Sequence, residues 1–345
     1  GRRLSRSRTM MGANRSTEVA GSVVDQLVAH GLRHAVLSPG SRNAPLSFAL
    51  ARAADAGRLQ LHVHIDERSA GFLALGLAKA SGTAAMVVCT SGTAVANLLP
   101  AVVEACYAQV PLVVVTADRP TSALHRGASQ TIAQAQMFRD FVRAGHASDD
   151  TQAAEEITAA LCDLWHAAHD MHSGPVHANL AFAEPLVPEQ EAGKIIWPGV
   201  ASVSCRVTSP AAGTTPAGAT PPAIDASKRG VVVIGDLPVS CKKMRNEAFA
   251  FAAAAGWPVI AEPTAGPRLR DISIRHHQLV TDGFLNEVES LVSVGRFGLG
   301  RHLGRLAKAA QLHTAVQPTA QPADPFGTAT QVLAALPAAH GSCES

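Results

Sequence analysis

Five short segments hold the residues whose types can do chemistry: Ser38-Pro39-Gly40-Ser41-Arg42, Asp66-Glu67-Arg68, Thr90-Ser91-Gly92, Ala117-Asp118-Arg119-Pro120 and Gly127-Ala128-Ser129-Gln130. Arg42 and Arg119 carry planar guanidinium forks, which grip carboxylates through paired N–H bonds. Two such forks converging on one crevice suit a substrate with several carboxylates. The plainer account is a surface ion pair with Asp66 or Asp118. Glu67 falls in the first turn of a helix, where the macrodipole alone favours an acid. Thr90, Ser91 and Gly92 make a tight turn into a helix, whose backbone N–H groups can receive an anion or a ring edge. A turn glycine with a helix cap explains Gly92 equally well.

The elements that position these segments follow from periodicity. Val19, Val23, Val24, Leu27 and Val28 repeat at helical spacing, and Gly31 is placed to end that helix. Strands are expected at 34–37, 61–65, 84–90, 111–117 and about 176–180, with helices at 66–79, 93–107 and about 151–171. Pro45 opens a further helix, at a position where the first turn accepts proline. Strands alternating with helices imply right-handed crossovers and a parallel sheet covered on both faces. Ligands of such sheets bind at the carboxyl ends of strands, where the chemical segments fall.

The expected fold class is therefore α/β: a doubly wound parallel sheet followed by a second, smaller α/β domain. Residues 1–15 form a basic, Ser-rich N-terminal extension expected to be disordered, and 16–190 the first domain. Residues 191–226, rich in Pro, Ala, Gly and Thr, read as a linker, and 227–315 as the second domain. Strands are expected there at 230–234, 258–261 and 290–294, with helices at about 242–256 and 301–310. Residues 316–345 read as linker and the start of a further domain, with one short apolar helix over 328–336.

Written out, the segments are S-P-G-S-R-N-A-P-L (38–46), D-E-R-S-A-G-F-L-A-L-G-L-A-K (66–79), T-S-G-T-A-V-A-N-L (90–98), and A-D-R-P (117–120) with G-A-S-Q (127–130). In this order and spacing they resemble the 2-succinyl-5-enolpyruvyl-6-hydroxy-3-cyclohexene-1-carboxylate (SEPHCHC) synthase family of thiamine-diphosphate enzymes. The resemblance covers residues 16–190 strongly and the second domain weakly. It implies a C–C bond-forming transferase of menaquinone biosynthesis, which decarboxylates 2-oxoglutarate and adds the succinic-semialdehyde unit to isochorismate. It also implies that 16–190 is the pyrimidine-binding domain, with Glu67 as the catalytic residue. A glutamate in this place hydrogen-bonds the pyrimidine ring nitrogen of thiamine diphosphate and favours the tautomer that takes the thiazolium proton.

Carried over with Glu67 as cofactor-binding are Thr90, Ser91 and Gly92; Ser41, Arg42, Arg119 and Gln130 are carried over as substrate-binding. One departure is Ser129, where the family usually has asparagine: serine keeps a hydrogen-bonding group but shortens its reach. The family holds the cofactor diphosphate through Mg²⁺ or Mn²⁺ on a G-D-G…N motif in a C-terminal domain. Gly235-Asp236 is followed by Leu237 rather than glycine, and Ala261-Glu262-Pro263 supplies no asparagine, so the second domain is not read as that motif. The metal ligands are expected beyond the last residue of this sequence, and the chain alone is expected to be inactive. A homodimer or homotetramer is implied for the full-length form.

His166, His169 and His172 recur every three residues and His177 follows, but no carboxylate or thiolate partner accompanies them. They read as polar exposure rather than a metal site. A formal charge of +2 and a single Tyr argue against a nucleic-acid partner, and no apolar run approaches membrane length. The six cysteines form no C-x-x-C pair and read as reduced thiols of a cytoplasmic protein. Two other readings stay open: another thiamine-diphosphate enzyme, either a 2-oxoacid decarboxylase or an acetolactate-type synthase, and a non-catalytic α/β assembly subunit.

Overall fold

The computed structural model describes residues 14–191, 194, 195, 197, 224–265, 273–319, 322–337, 339 and 340. Most of the expected N-terminal extension and of the 191–226 linker lies outside the described residues. The chain divides into two compact units at Thr208 and Ser209.

The first unit runs α1 (Arg15–Ala29), β1 (His34–Leu37), α2 (Ala44–Asp55), β2 (Gln60–Val63), α3 (Glu67–Ser81), β3 (Ala85–Cys89), α4 (Thr93–Asn97), α5 (Leu99–Tyr107), β4 (Leu112–Asp118), β5 (Gly145–Ala147), α6 (Ala154–His169) and β6 (Pro175–Ala181). Its six strands lie in the order β2-β1-β3-β4-β6-β5. Every pairing is parallel. The two-residue strands β7 (Gln190–Glu191) and β8 (Lys194–Ile195) form an antiparallel pair.

Strand β4 shows why the sheet is covered on both sides. Successive strand residues point to opposite faces, and here both sets are apolar. Val113, Val115 and Ala117 join a core with residues of α1, α2 and α6, while Leu112 and Val114 join a second core with residues of α3, α4 and α5. This is the doubly wound arrangement. The helix expected over 93–107 is broken instead into α4 and α5. Pro100, in the first turn of α5, has no N–H to give the preceding turn, and the break is tolerated where a helix starts. Strand β5 was not expected, because Gly-His-Ala carries no apolar pattern.

The second unit runs β9 (Ile224–Asp225), β10 (Gly230–Ile234), α7 (Lys243–Ala255), β11 (Val259–Ala261), α8 (His277–Val280), β12 (Ser290–Val294), α9 (Arg301–Ala309), β13 (Leu312–Val316), β14 (Gln331–Leu333) and β15 (Ala339–His340). Five strands form a parallel sheet, β11-β10-β12-β13-β14, and β15 pairs with β9. The helix expected over 328–336 is corrected to strand β14, which lies parallel to β13. Too short to nucleate a helix alone, this segment pairs with an open sheet edge: Thr330 N–H donates to His313 O at 2.8 Å and Gln317 N–H to Leu333 O at 2.7 Å. The sheet thus continues past residue 315, where the second domain was expected to end.

Cys89, Cys106 and Cys241 are free, but Cys162 is disulfide-bonded, which corrects the expectation of reduced thiols throughout. A bridge between cysteines distant in sequence leaves no local spacing to read. Among the described residues, no helix is long and apolar enough to cross a membrane.

Candidate active site

The strand order reverses between β1 and β3, so the turns after these two strands flank the switch point of the first sheet. Asn43, fully buried, locks the turn after β1: its Oδ1 accepts from Gly40 N–H and its Nδ2 donates to Ser38 O, both at 2.8 Å. The turn presses on the T-S-G segment after β3, and a Cβ on Gly40 would stand 2.6 Å from Thr90 Cβ. Only glycine permits that approach.

The T-S-G turn is tied to Arg119, which follows β4. Arg119 Nη1 donates to Ser91 Oγ at 2.9 Å and to Gln130 O at 3.0 Å. Ser91 Oγ in turn donates to Gln130 O at 3.1 Å, and Gln130 Nε2 returns a bond to Ser91 O at 2.9 Å. Gln130 adopts a left-handed φ of 57°, and Gly92 has φ 85°, with its Cβ position 2.7 Å from Gln130 Cγ. A non-glycine residue held in that region is a local cost sustained by the bonds around it.

Arg42 sits half-buried after β1, donating from Nη1 to Phe182 O at 2.9 Å, with Glu184 at 3.6 Å. Burial lowers its pKa and the charge of Arg119 lowers it further, against the opposing pull of Glu184 and Asp118. The two arginines therefore share one electrostatic environment. Ser41 and Ser129 are exposed.

Glu67 opens α3, whose N-cap Asp66 accepts from Ser69 N–H at 2.9 Å. Its Oε2 accepts from Asn97 Nδ2 at 3.3 Å. Cys89, at the end of β3, has its thiol pKa raised by burial first and by the Glu67 charge second, so Glu67 overlooks the end of β3. Beside it, Ile65 and Phe72 are exposed apolar side chains. Strands β2 and β4 stand three places apart, roughly 14 Å at the usual strand spacing. The structure thus gathers Arg42, Ser91, Arg119 and Gln130, and sets Glu67 at the far side of the T-S-G turn.

Sequence reasoning missed a buried polar network beneath this site. Gln134 Oε1 accepts from Gly92 N–H at 2.9 Å, while its Nε2 donates to Ala117 O at 2.9 Å and Asn179 Oδ1 at 2.7 Å. Asn179 Nδ2 donates to Asp118 Oδ2 at 2.8 Å, and Asp118 Oδ1 accepts Arg119 N–H at 2.8 Å. Thr116 Oγ1 gives its single proton to Asn179 Oδ1 at 2.8 Å, so His177 presents Nε2–H to that hydroxyl, also at 2.8 Å. Burial raises the pKa of Asp118, and the bonds from Asn179 and Arg119 N–H oppose it; burial pushes His177 down to about 4. A polar residue in an apolar strand, such as Asn179 in β6, was the one available signal. A cavity of about 430 Å³ opens over this network, lined in part by Asp118, Gln134, Ser148, Asp149 and Asn179.

Of the histidines, His169 accepts Ala84 N–H at 3.1 Å on Nε2 and pairs Nδ1 with Trp165 O at 2.8 Å, a structural tie between α6 and β3. Among the described residues, no group of three or more His, Cys, Asp or Glu is placed to hold a metal ion.

Residues 17–137, which carry most of this site, match the family model described as thiamine pyrophosphate enzyme, N-terminal TPP binding domain. Three curated relatives each bear the name 2-succinyl-5-enolpyruvyl-6-hydroxy-3-cyclohexene-1-carboxylate synthase. That of Kineococcus radiotolerans is 44% identical over 308 residues, covering 85% of this chain and 53% of the relative. That of Thermobifida fusca is 40% identical over 336 residues, covering 94% and 59%, and that of Saccharopolyspora erythraea 42% identical over 302, covering 82% and 51%. The chain spans about half the length of the curated relatives it matches. By the matched domain and these identities, the chain belongs to the SEPHCHC synthase family of thiamine pyrophosphate enzymes.

Proposed function

We propose that the first unit is the pyrimidine-binding, substrate-gripping domain of a thiamine-diphosphate-dependent SEPHCHC synthase of menaquinone biosynthesis. The substrates are 2-oxoglutarate, which loses CO2, and isochorismate, which accepts the remaining four-carbon unit. The observation that carries this reading is the shared environment of Arg42 and Arg119 at the carboxyl edge, beside the T-S-G turn. Two guanidinium forks answer substrates that each carry two carboxylates.

The residues also suit the cofactor. Glu67 offers a carboxylate whose bond to Asn97 leaves acceptor capacity, at the mouth of a turn lined by Thr90, Ser91 and Gly92. Ile65 and Phe72 give apolar surface of the kind an aminopyrimidine ring covers. Bound thiamine diphosphate supplies the electron sink for decarboxylation. Glu67 holds the ring nitrogen, Arg42 and Arg119 hold carboxylates, and Ser41 and Gln130 orient the substrate. Mg²⁺ or Mn²⁺ is the fitting partner of the diphosphate, being a hard cation that takes oxygen ligands. The exposed apolar side chains of Val63, Ile65 and Phe72 support a homodimer or homotetramer.

The test is calorimetric titration of the chain with 2-oxoglutarate, isochorismate and pyruvate. The dicarboxylates should bind more tightly than pyruvate, and Arg42→Ala and Arg119→Ala should each abolish the difference. Equal binding of pyruvate would instead support an acetolactate-type enzyme.

A further inference from the structure

Gln134 lines the same cavity as Arg119, and it makes more connections between strand ends than any residue the sequence singled out. The residue is 1% exposed. The amide has one acceptor oxygen and two donor hydrogens, and the three bonds to Gly92 N–H, Ala117 O and Asn179 Oδ1 use the oxygen and both hydrogens. Gly92 belongs to the turn after β3, Ala117 to β4, and Asn179 to β6. Through Asn179 the chain of bonds reaches the Asp118 carboxylate, whose other oxygen holds the backbone N–H of Arg119.

We propose that Gln134 is a positioning residue that makes the T-S-G turn and the Asp118–Arg119 strand end one rigid piece. The inference rests on the reading that the turn faces the cofactor and Arg119 the substrate. Three neighbouring strand ends that moved independently would let the cofactor and the carboxylate grip drift apart, and errors of an ångström are costly to reaction geometry. A buried network with every member satisfied is the arrangement that resists such drift. Gln134 arises from the segment 131–136, which carries no helix or strand. Its place is therefore set by these bonds rather than by regular secondary structure.

The experiment compares the full chain with Gln134→Met, which keeps the length but removes the three polar bonds. A second variant, Gln134→Glu, keeps an acceptor for Gly92 N–H but loses both donors. Thr158→Val is the control: it deletes a buried hydroxyl that bonds within α6, to Ala154 O. Hydrogen exchange of single amides needs no ligand. In Gln134→Met the amides of Gly92 and Arg119 should lose protection together, by about tenfold or more, although Arg119 N–H touches only Asp118. Loss at Gly92 alone, or equal loss at both in Thr158→Val, overturns the proposal.

Titration with 2-oxoglutarate then reads the consequence. Gln134→Met should weaken binding about five- to tenfold, and Thr158→Val should leave it within twofold. Unchanged affinity in Gln134→Met also overturns the proposal. If the parent chain binds no 2-oxoglutarate, the reading of Arg119 as a carboxylate grip fails, and the exchange result still decides the role of Gln134. Should Gln134→Met not fold, Gln134→Glu carries the same comparison. Its Gly92 amide should stay protected while that of Arg119 is released, and retained protection at Arg119 overturns the proposal.

Discussion

Arg119 and Ser91 lie on turns that follow adjacent parallel strands, and the arginine donates Nη1 to the serine hydroxyl at 2.9 Å. The same Nη1 also reaches Gln130 O, so one end of the fork is held by the protein. The planar guanidinium is thereby oriented before any ligand arrives, and Nε and Nη2 are available for the carboxylate grip proposed above.

Removing that hydroxyl should therefore weaken substrate binding without touching substrate. Hydrogen bonds to charged groups contribute about 1.5–3 kcal/mol. We expect Ser91→Ala to weaken 2-oxoglutarate binding by about tenfold or more, with Arg119→Lys at least as damaging because an ammonium cannot reproduce the fork. Calorimetry on the chain measures both. Unchanged affinity in Ser91→Ala would show that the hydroxyl does not orient Arg119.

Gly92 should tolerate no side chain. Its φ of 85° lies in the left-handed region, and an added Cβ would sit 2.7 Å from Gln130 Cγ. Residues forced into such conformations cost about 1–3 kcal/mol. Gly92→Ala should lower the urea midpoint accordingly with an unchanged slope. Combining it with Gln130→Ala should recover only the part due to crowding. Full recovery in the double variant would show that backbone conformation contributes nothing.

What the sequence revealed and what it hid divide along physical lines. β1, β3 and β4 were legible because a strand buried on both faces is a short unbroken apolar run, and the start of α3 because Asp66 caps it, whereas its end runs past the expected Lys79 to Ser81. The positions of Arg42, Glu67, Thr90 and Arg119 followed directly, each just past a strand. β14 was hidden, since its identity as a strand depends on the open edge of β13 rather than on its own residues. The Gln134–Asn179–Asp118 network was hidden for a related reason: its members lie up to 61 residues apart and no local pattern joins them.

Acid should weaken the first unit through His177. Its pKa is lowered by burial from 6.5 to about 4, so above pH 6.5 the ring is neutral in both folded and unfolded chains. As pH falls through 6.5 the unfolded chain takes a proton that the folded chain refuses, and stability is lost until about pH 4. The gap corresponds to about 3 kcal/mol at most. His177→Gln can still donate to Thr116 but does not titrate, so its urea midpoint should fall less than the parent's between pH 7 and pH 4.5. Parallel curves would show that His177 takes up its proton without unfolding.

Glu67 provides the decisive test of mechanism. Glu67→Gln keeps the size of the side chain and an oxygen for Asn97 Nδ2, so the half-buried site at the start of α3 should lose little stability. What it loses is the carboxylate proposed above to hold the pyrimidine nitrogen. General acid–base steps contribute about 10²–10⁴-fold, and in a full-length enzyme carrying this chain exchange of the thiazolium proton of bound thiamine diphosphate should slow within that range. Arg119→Ala should leave the exchange nearly unchanged, because the grip on a substrate carboxylate plays no part in it. If Arg119 grips a substrate carboxylate in ground and transition states alike, the variant should instead weaken 2-oxoglutarate binding. Proton exchange followed by NMR in deuterated buffer separates the two roles without an acceptor substrate. Normal exchange in Glu67→Gln would reduce Glu67 to an acid favoured by the helix dipole. Slowed exchange in both variants would instead mean that Arg119 acts on the cofactor, and the division of labour across the T-S-G turn would fall.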